Sequence, residues 1–158
     1  HYPLDVIGGR MSGQAAAADR LNDPKMRDAL NQAAAELRAE IEWRAGKPIK
    51  DLVASDKPFV PTATAVSQAT AWNNYEFAPI YHRDAPMIVP QAAPTLIAGS
   101  FPALNHHQRA QIIAQTASAA GNPLDWQGPG GSWQRVNLAA ASAAKIRVAE
   151  DGSVTVLK

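Results

Sequence analysis

The chain contains no cysteine. Disulfides, thiolate nucleophiles and cysteine metal sites are therefore excluded, and thiol usage leaves the redox compartment open. An excess of one charge is also missing. Fifteen Lys and Arg stand against 14 Asp and Glu, for a net charge of +1. That balance offers no electrostatic case for a nucleic-acid partner or an anionic membrane surface. No apolar run approaches the roughly 20 residues that a bilayer span requires. No signal-peptide pattern stands at the start, a feature that a trimmed mature chain would share. No metal-ligand spacing stands out. Aromatic residues make up only 6%, while alanine is abundant. A length of 158 residues suffices for one domain with a sizeable core, and the composition points to a mainly α fold.

Periodicity locates the elements. A first helix is expected over residues 5–21, with Pro3 in its N-terminal turn. Gly8, Gly9, Ser12, Gly13, Ala16 and Ala17 form small ridges on it. Glycine weakens a helix, so a close helix–helix contact is the expected reason for these residues. A second helix is expected over 23–45, where Asp23-Pro24 supplies a cap and a proline at the first position. Met26, Ala29, Leu30, Ala33, Leu37 and Ile41 recur at helical spacing. Glu40 and Arg44 form an i, i+4 pair, and Gly46 with Pro48 supplies the stop. Residues 47–61 read as a linker with one short turn at "IKDLVAS", and 62–77 as helical. The proline-rich stretch 78–104 reads as irregular, with a helical turn at "APTLIAG". A helix over 105–120 opens on a capping box, Asn105 with Gln108. Its expected face is Ala110, Ile113, Ala117 and Ala120. A short final helix is expected in "RVNLAAASAA". Finally, "KIRVAEDGSVTVLK" alternates about Asp151-Gly152 as a hairpin.

The residues suited to chemistry are few. His1 and Asp5 stand four apart at a helix start, so their side chains can share a face. A carboxylate that accepts from one imidazole nitrogen fixes the tautomer and leaves the other nitrogen free to react. Spacing alone equally allows a surface pair or a helix cap. A first-position histidine can also chelate copper through its amino group and ring, as in lytic polysaccharide monooxygenases, but those are β-sandwiches and this chain reads helical. His106 and His107 lie in the exposed first turn of a helix and are expected to be solvated or capping. His82, with Arg83 and Asp84, is expected in a loop salt bridge. "GPGGS" lacks the lysine and the strand–loop–helix setting of a phosphate cradle and reads as a turn. Trp43, Trp72, Trp126 and Trp133 are expected as core or rim anchors.

The stretch "HYPLDVIGGRMSGQ" resembles the third signature of the type 2 phosphatidic acid phosphatase and vanadium haloperoxidase superfamily. That signature runs Ser-Arg, five residues, His, three residues, Asp. The resemblance implies that His1 is the nucleophile, forming a phosphohistidine, and that Asp5 orients it. Tyr2, Pro3 and the glycines would be structural. "YEFAPIYHRDAPMIVPQAAPTLIAGSFPAL", "NHHQRAQIIAQTASAAGNPLD" and "GGSWQRVNLAAA" resemble, in that order, the carboxyl-terminal extension of bacterial secreted acid phosphatases. The implied fold is a helical fragment of the acid phosphatase/haloperoxidase helical bundle with a small C-terminal β-hairpin. Residues 1–46 would close the catalytic domain, and 47–158 would form the proline-rich linker and extension.

The departures shape the expectation as much as the matches. The family's first signature (Lys, six residues, Arg-Pro) and its second (Pro-Ser-Gly-His) are absent. The Ser-Arg of the third would precede His1. Those cations neutralise phosphate oxygens, which is most of the electrostatic help that the reaction needs. The expectation is therefore the carboxyl-terminal portion of a phosphomonoester hydrolase, inactive as these 158 residues alone. Its partners would be a phosphate-ester substrate and an upstream segment of the same protein, with a homo-oligomer left open. No cofactor is expected in the phosphatase branch, and vanadate in the haloperoxidase branch. The resemblance implies a periplasmic or secreted location. The alternative from another class is a non-catalytic helical packing module or a stable proteolytic fragment.

Overall fold

The structure, a computed structural model, describes residues 2–57 and 59–157. Among these it is mainly helical, with a two-stranded antiparallel sheet at the C-terminal end. Helix α1 spans Pro3–Asn22 and α2 spans Pro24–Ala45. A single extended residue, Asp23, separates them. Its side chain accepts from the Met26 N–H at 3.0 Å, the cap that the sequence pattern predicts. Gly46 closes α2 in the left-handed region at φ 63°. The Arg44 Nε–H donates to the Glu40 carboxylate at 2.6 Å. "IKDLVAS" forms α3, Ile49–Ser55, and the Glu42 carboxylate accepts from the Ile49 N–H at its start.

Helix α4, Thr62–Trp72, ends five residues before the expected boundary at 77. Tertiary contacts outweigh local propensity here. Asn73 is buried, and its side chain donates to Ser118 Oγ at 3.1 Å. Tyr75 and Glu76 then take left-handed backbones, at φ 50° and 56°. The Asn74 side chain braces them by accepting from the Glu76 N–H.

After an irregular stretch and a 3-10 turn at Ala93–Ile97, α5 spans His106–Gln115. Both bonds of its capping box are present, each 2.9 Å long. It is shorter than the expected 105–120. Thr116 Oγ1 donates back to the Ile112 carbonyl, and the Ser118 N–H leaves to donate to the Arg135 carbonyl. Ala117 and Ala120 thus lie beyond the helix, and its buried residues are Ile112 and Ile113. Helix α6, Leu138–Ala143, starts at an Asn137 cap. Strands β1, Ile146–Val148, and β2, Val154–Val156, pair Ile146 with Val156 and Val148 with Val154. Gly152 makes the turn at φ 82°.

The core lies in the C-terminal half. Ala93, Ile97, Ile112, Ile113, Val136, Ala141 and Val154 are buried together, with Trp133, Phe101 and Val156 packed on them. Helix α1 docks on the 3-10 turn and buries Ile7 and Ala18. The glutamines of α5 hold the outer side of β2. The Val154 N–H donates to Gln111 Oε1, and the Val156 N–H donates to Gln115 Oε1. Gln115 Nε2 donates to the Val154 carbonyl, and Gln108 Nε2 to the Gly152 carbonyl. A two-stranded sheet is marginal alone; here helix side chains occupy the strand edge that a third strand would take.

The close helix contact expected at the small residues of α1 is corrected. A Cβ added at Gly8, Gly9 or Gly13 would meet no atom within 4 Å. Among the described residues, therefore, no close helix contact explains these glycines. The apolar face of α2 exists but is uncovered: Met26, Leu30, Leu37 and Ile41 are 39%, 44%, 61% and 37% exposed.

Candidate functional site

Asp5 sits in the first turn of α1, where its backbone N–H donates to the Tyr2 carbonyl at 3.0 Å. Its side chain is exposed. A carboxylate suits this end of a helix, because the unpaired N–H groups and the helix dipole favour negative charge there. The two ion pairs among the described residues are Arg20 with Asp19 and Arg44 with Glu40, so Asp5 belongs to neither. His1 lies outside the described residues.

What positions α1 is Arg10, one turn beyond Asp5. Its guanidinium reaches the loop before α6 and donates to the Gln134 carbonyl at 2.8 Å, to Val136 at 3.2 Å and to Trp133 at 3.5 Å. It also donates to the Asn73 carbonyl at 3.0 Å and to Gln14 Oε1. Burial pushes the Arg10 pKa below its ordinary value. A cation surrounded by carbonyl oxygens and no carboxylate is tolerated because those dipoles replace its hydration. Gln134 is fully buried, and its Nε2 shares the Asn73 carbonyl.

Arg135 and Asn137 extend the same scaffold. Arg135 donates to the carbonyls of Ser118, Ala85 and Pro86. Asn137 donates to Thr70 Oγ1 at 2.8 Å. The run "WQRVN" is thus a set of struts joining α1, α4 and the 78–92 loop. In the sequence it carried only a resemblance. What makes its members matter is long-range bonding that leaves no periodic signal.

The other candidates resolve individually. His106 Nε2 lies 2.9 Å from the Gln91 carbonyl, and His107 Nε2 lies 3.1 Å from Gln111 Nε2. Both histidines are exposed. The salt bridge expected at His82, Arg83 and Asp84 is absent among the described residues. "GPGGS" is a turn with Gly130 and Gly131 at φ 95° and 82°. Trp133 packs on the core, whereas Trp43, Trp72 and Trp126 are 76%, 65% and 61% exposed. No cluster of three metal-ligating side chains occurs among the described residues. None of their helices is long and apolar enough to cross a membrane. Compared with protein-family models, curated proteins and solved structures, the chain matches none.

Proposed function

We propose that this chain is the carboxyl-terminal portion of a periplasmic or secreted phosphatase that hydrolyses phosphomonoesters through a phosphohistidine. The observation that carries the reading is Asp5. Its carboxylate is exposed in the first turn of a helix that Arg10 locks to the core, four positions after His1. A carboxylate so placed is available to accept from one imidazole nitrogen and leave the other as the nucleophile.

In the first step a His1 nitrogen bonds to phosphorus and the ester P–O bond breaks. The departing alkoxide takes a proton from a general acid supplied by the upstream segment. In the second step water breaks the P–N bond, releasing phosphate and restoring His1. Cations of that upstream segment would carry the charge of the phosphoryl oxygens. No cofactor enters this reaction; in the haloperoxidase branch the same histidine would hold vanadate.

The test is hydrolysis of p-nitrophenyl phosphate by the longest natural chain that contains these residues. Activity that falls about 10³-fold or more in His1→Ala and at least 10-fold in Asp5→Asn supports the reading. Unchanged activity in His1→Ala overturns it, and halide oxidation with vanadate in place of hydrolysis moves it to the other branch.

A second reading is favoured by the exposed Met26, Leu30, Leu37 and Ile41 of α2, namely a non-catalytic helical module that packs on another segment through this face. It predicts no hydrolysis in any chain length.

A further inference from the structure

A further pocket lies where the 78–92 loop meets the turn "GNPLDWQG". Tyr81, Asp125, Trp126, Gln127 and Gly128 line a pocket of about 280 Å³. This is just below the ~300–1,000 Å³ of pockets for drug-sized ligands, which suits a small group. Asp125 is 6% exposed. Its Oδ2 accepts from the Gly121 N–H at 2.8 Å and from Gln127 Nε2 at 3.1 Å. Its Oδ1 is sealed from solvent and has no partner among the described residues. No Lys, Arg or His pairs with it among them either. A buried carboxylate compensated by two neutral donors only leaves a net negative field at the pocket wall.

Two aromatic residues join Asp125 in the wall, and the Trp126 indole is held by a hydrogen bond. Tyr81 and Trp126 are 51% and 61% exposed. The Trp126 indole N–H donates to the Pro129 carbonyl at 2.7 Å. A Cβ on Gly128 would lie 2.6 Å from the Trp126 ring, so this glycine admits the indole where it stands. The Tyr81 N–H donates to the Gly121 carbonyl at 3.0 Å, and Gln127 Nε2 donates to the His82 carbonyl at 2.7 Å.

We propose that this pocket binds a small quaternary ammonium group. Aromatic faces attract a cation through their quadrupoles, and the Asp125 charge adds to that attraction. The buried carboxylate offers a primary ammonium no open oxygen, since Oδ1 is sealed and Oδ2 already accepts twice. A quaternary ammonium has no N–H to satisfy. The same bonds show that Asp125 also closes its own turn, and the test separates the two roles.

The test follows the Trp126 indole N–H resonance of the ¹⁵N-labelled chain, assigned by its loss in Trp126→Phe. Tetramethylammonium chloride is titrated against sodium chloride, tert-butanol and n-butylammonium chloride. Expected is a saturable shift with tetramethylammonium, at least 10-fold weaker with tert-butanol and weaker with n-butylammonium. Asp125→Asn and Tyr81→Leu are each expected to weaken it about 10-fold. Tyr81→Leu alters an exposed ring and no turn hydrogen bond, so it decides the matter if Asp125→Asn does not fold. No saturable shift, equal binding of tert-butanol, tighter binding of n-butylammonium, or an unchanged affinity in Tyr81→Leu would overturn the proposal.

Discussion

Arg10 donates to the backbone carbonyl of Gln134 at 2.8 Å, across 124 positions of the chain. Through this contact and its neighbours, one side chain of α1 bonds four carbonyls of the loop and of the end of α4, of which Trp133 also accepts from the Val136 N–H and Asn73 from Gln134 Nε2. Removing it takes a donor from each, and an acceptor left unpaired costs roughly 1–3 kcal/mol where water cannot enter. Arg10→Met is expected to destabilise the fold by about 3 kcal/mol, seen as a fall in the urea midpoint with unchanged slope. Arg10→Lys should recover only part, because an ammonium cannot fork across several carbonyls. A midpoint unchanged in Arg10→Met would refute this role.

Neighbouring glycines should respond differently. Gly130 and Gly131 both have positive φ. A Cβ on Gly130 meets nothing, but on Gly131 it would lie 2.6 Å from the Pro90 nitrogen and collide with the Ile88 carbonyl oxygen. Gly130→Ala should cost about 1 kcal/mol of backbone strain. Gly131→Ala should cost about 3 kcal/mol or more, since backbone must move as well. Thermal unfolding of the two variants checks the order.

The hairpin depends on the glutamines of α5. Gln115 both donates to and accepts from β2. Gln115→Ala is expected to lose about 1–2 kcal/mol. The Val156 amide, whose acceptor is removed, should exchange faster with solvent deuterium, while the α1 amides stay unchanged.

The hairpin turn also carries an acid dependence. The Ser153 hydroxyl and N–H both donate to Asp151 and hold its carboxyl below the usual carboxylate range. A group with a lowered folded pKa contributes stability above its unfolded pKa and loses it as pH falls through the folded value. The Ser153 amide shift should therefore titrate below pH ~3.9, the ordinary aspartate value. Asp151→Asn should abolish that titration.

Much of the fold is legible in the sequence where signals are local. The Asp23-Pro24 cap, the Asn105/Gln108 box and the Asp151-Gly152 turn each rest on residues within a few positions of one another, and each forms. The ends of α4 and α5 are not legible, because Asn73 and Ser118 leave their helices to bond partners far along the chain. For the same reason the sequence does not mark Arg10 as a strut, since nothing nearby along the chain reveals its acceptors. The small and apolar faces of α1 and α2 are visible as patterns, but a pattern does not say what covers it. Of the candidate site, the sequence identifies His1 and Asp5 through resemblance, and the fold adds the anchoring of the helix that carries Asp5.

The proposed mechanism makes His1 the residue that is phosphorylated. The most direct measurement is acid-free denaturing quench of the longest natural chain during turnover of p-nitrophenyl phosphate, followed by mass spectrometry of the peptide containing His1. Expected is a phosphoryl group on His1 that survives base, is lost in acid, and disappears in His1→Ala. Turnover without any phosphoryl group on that peptide, or with the group on another residue, would contradict it.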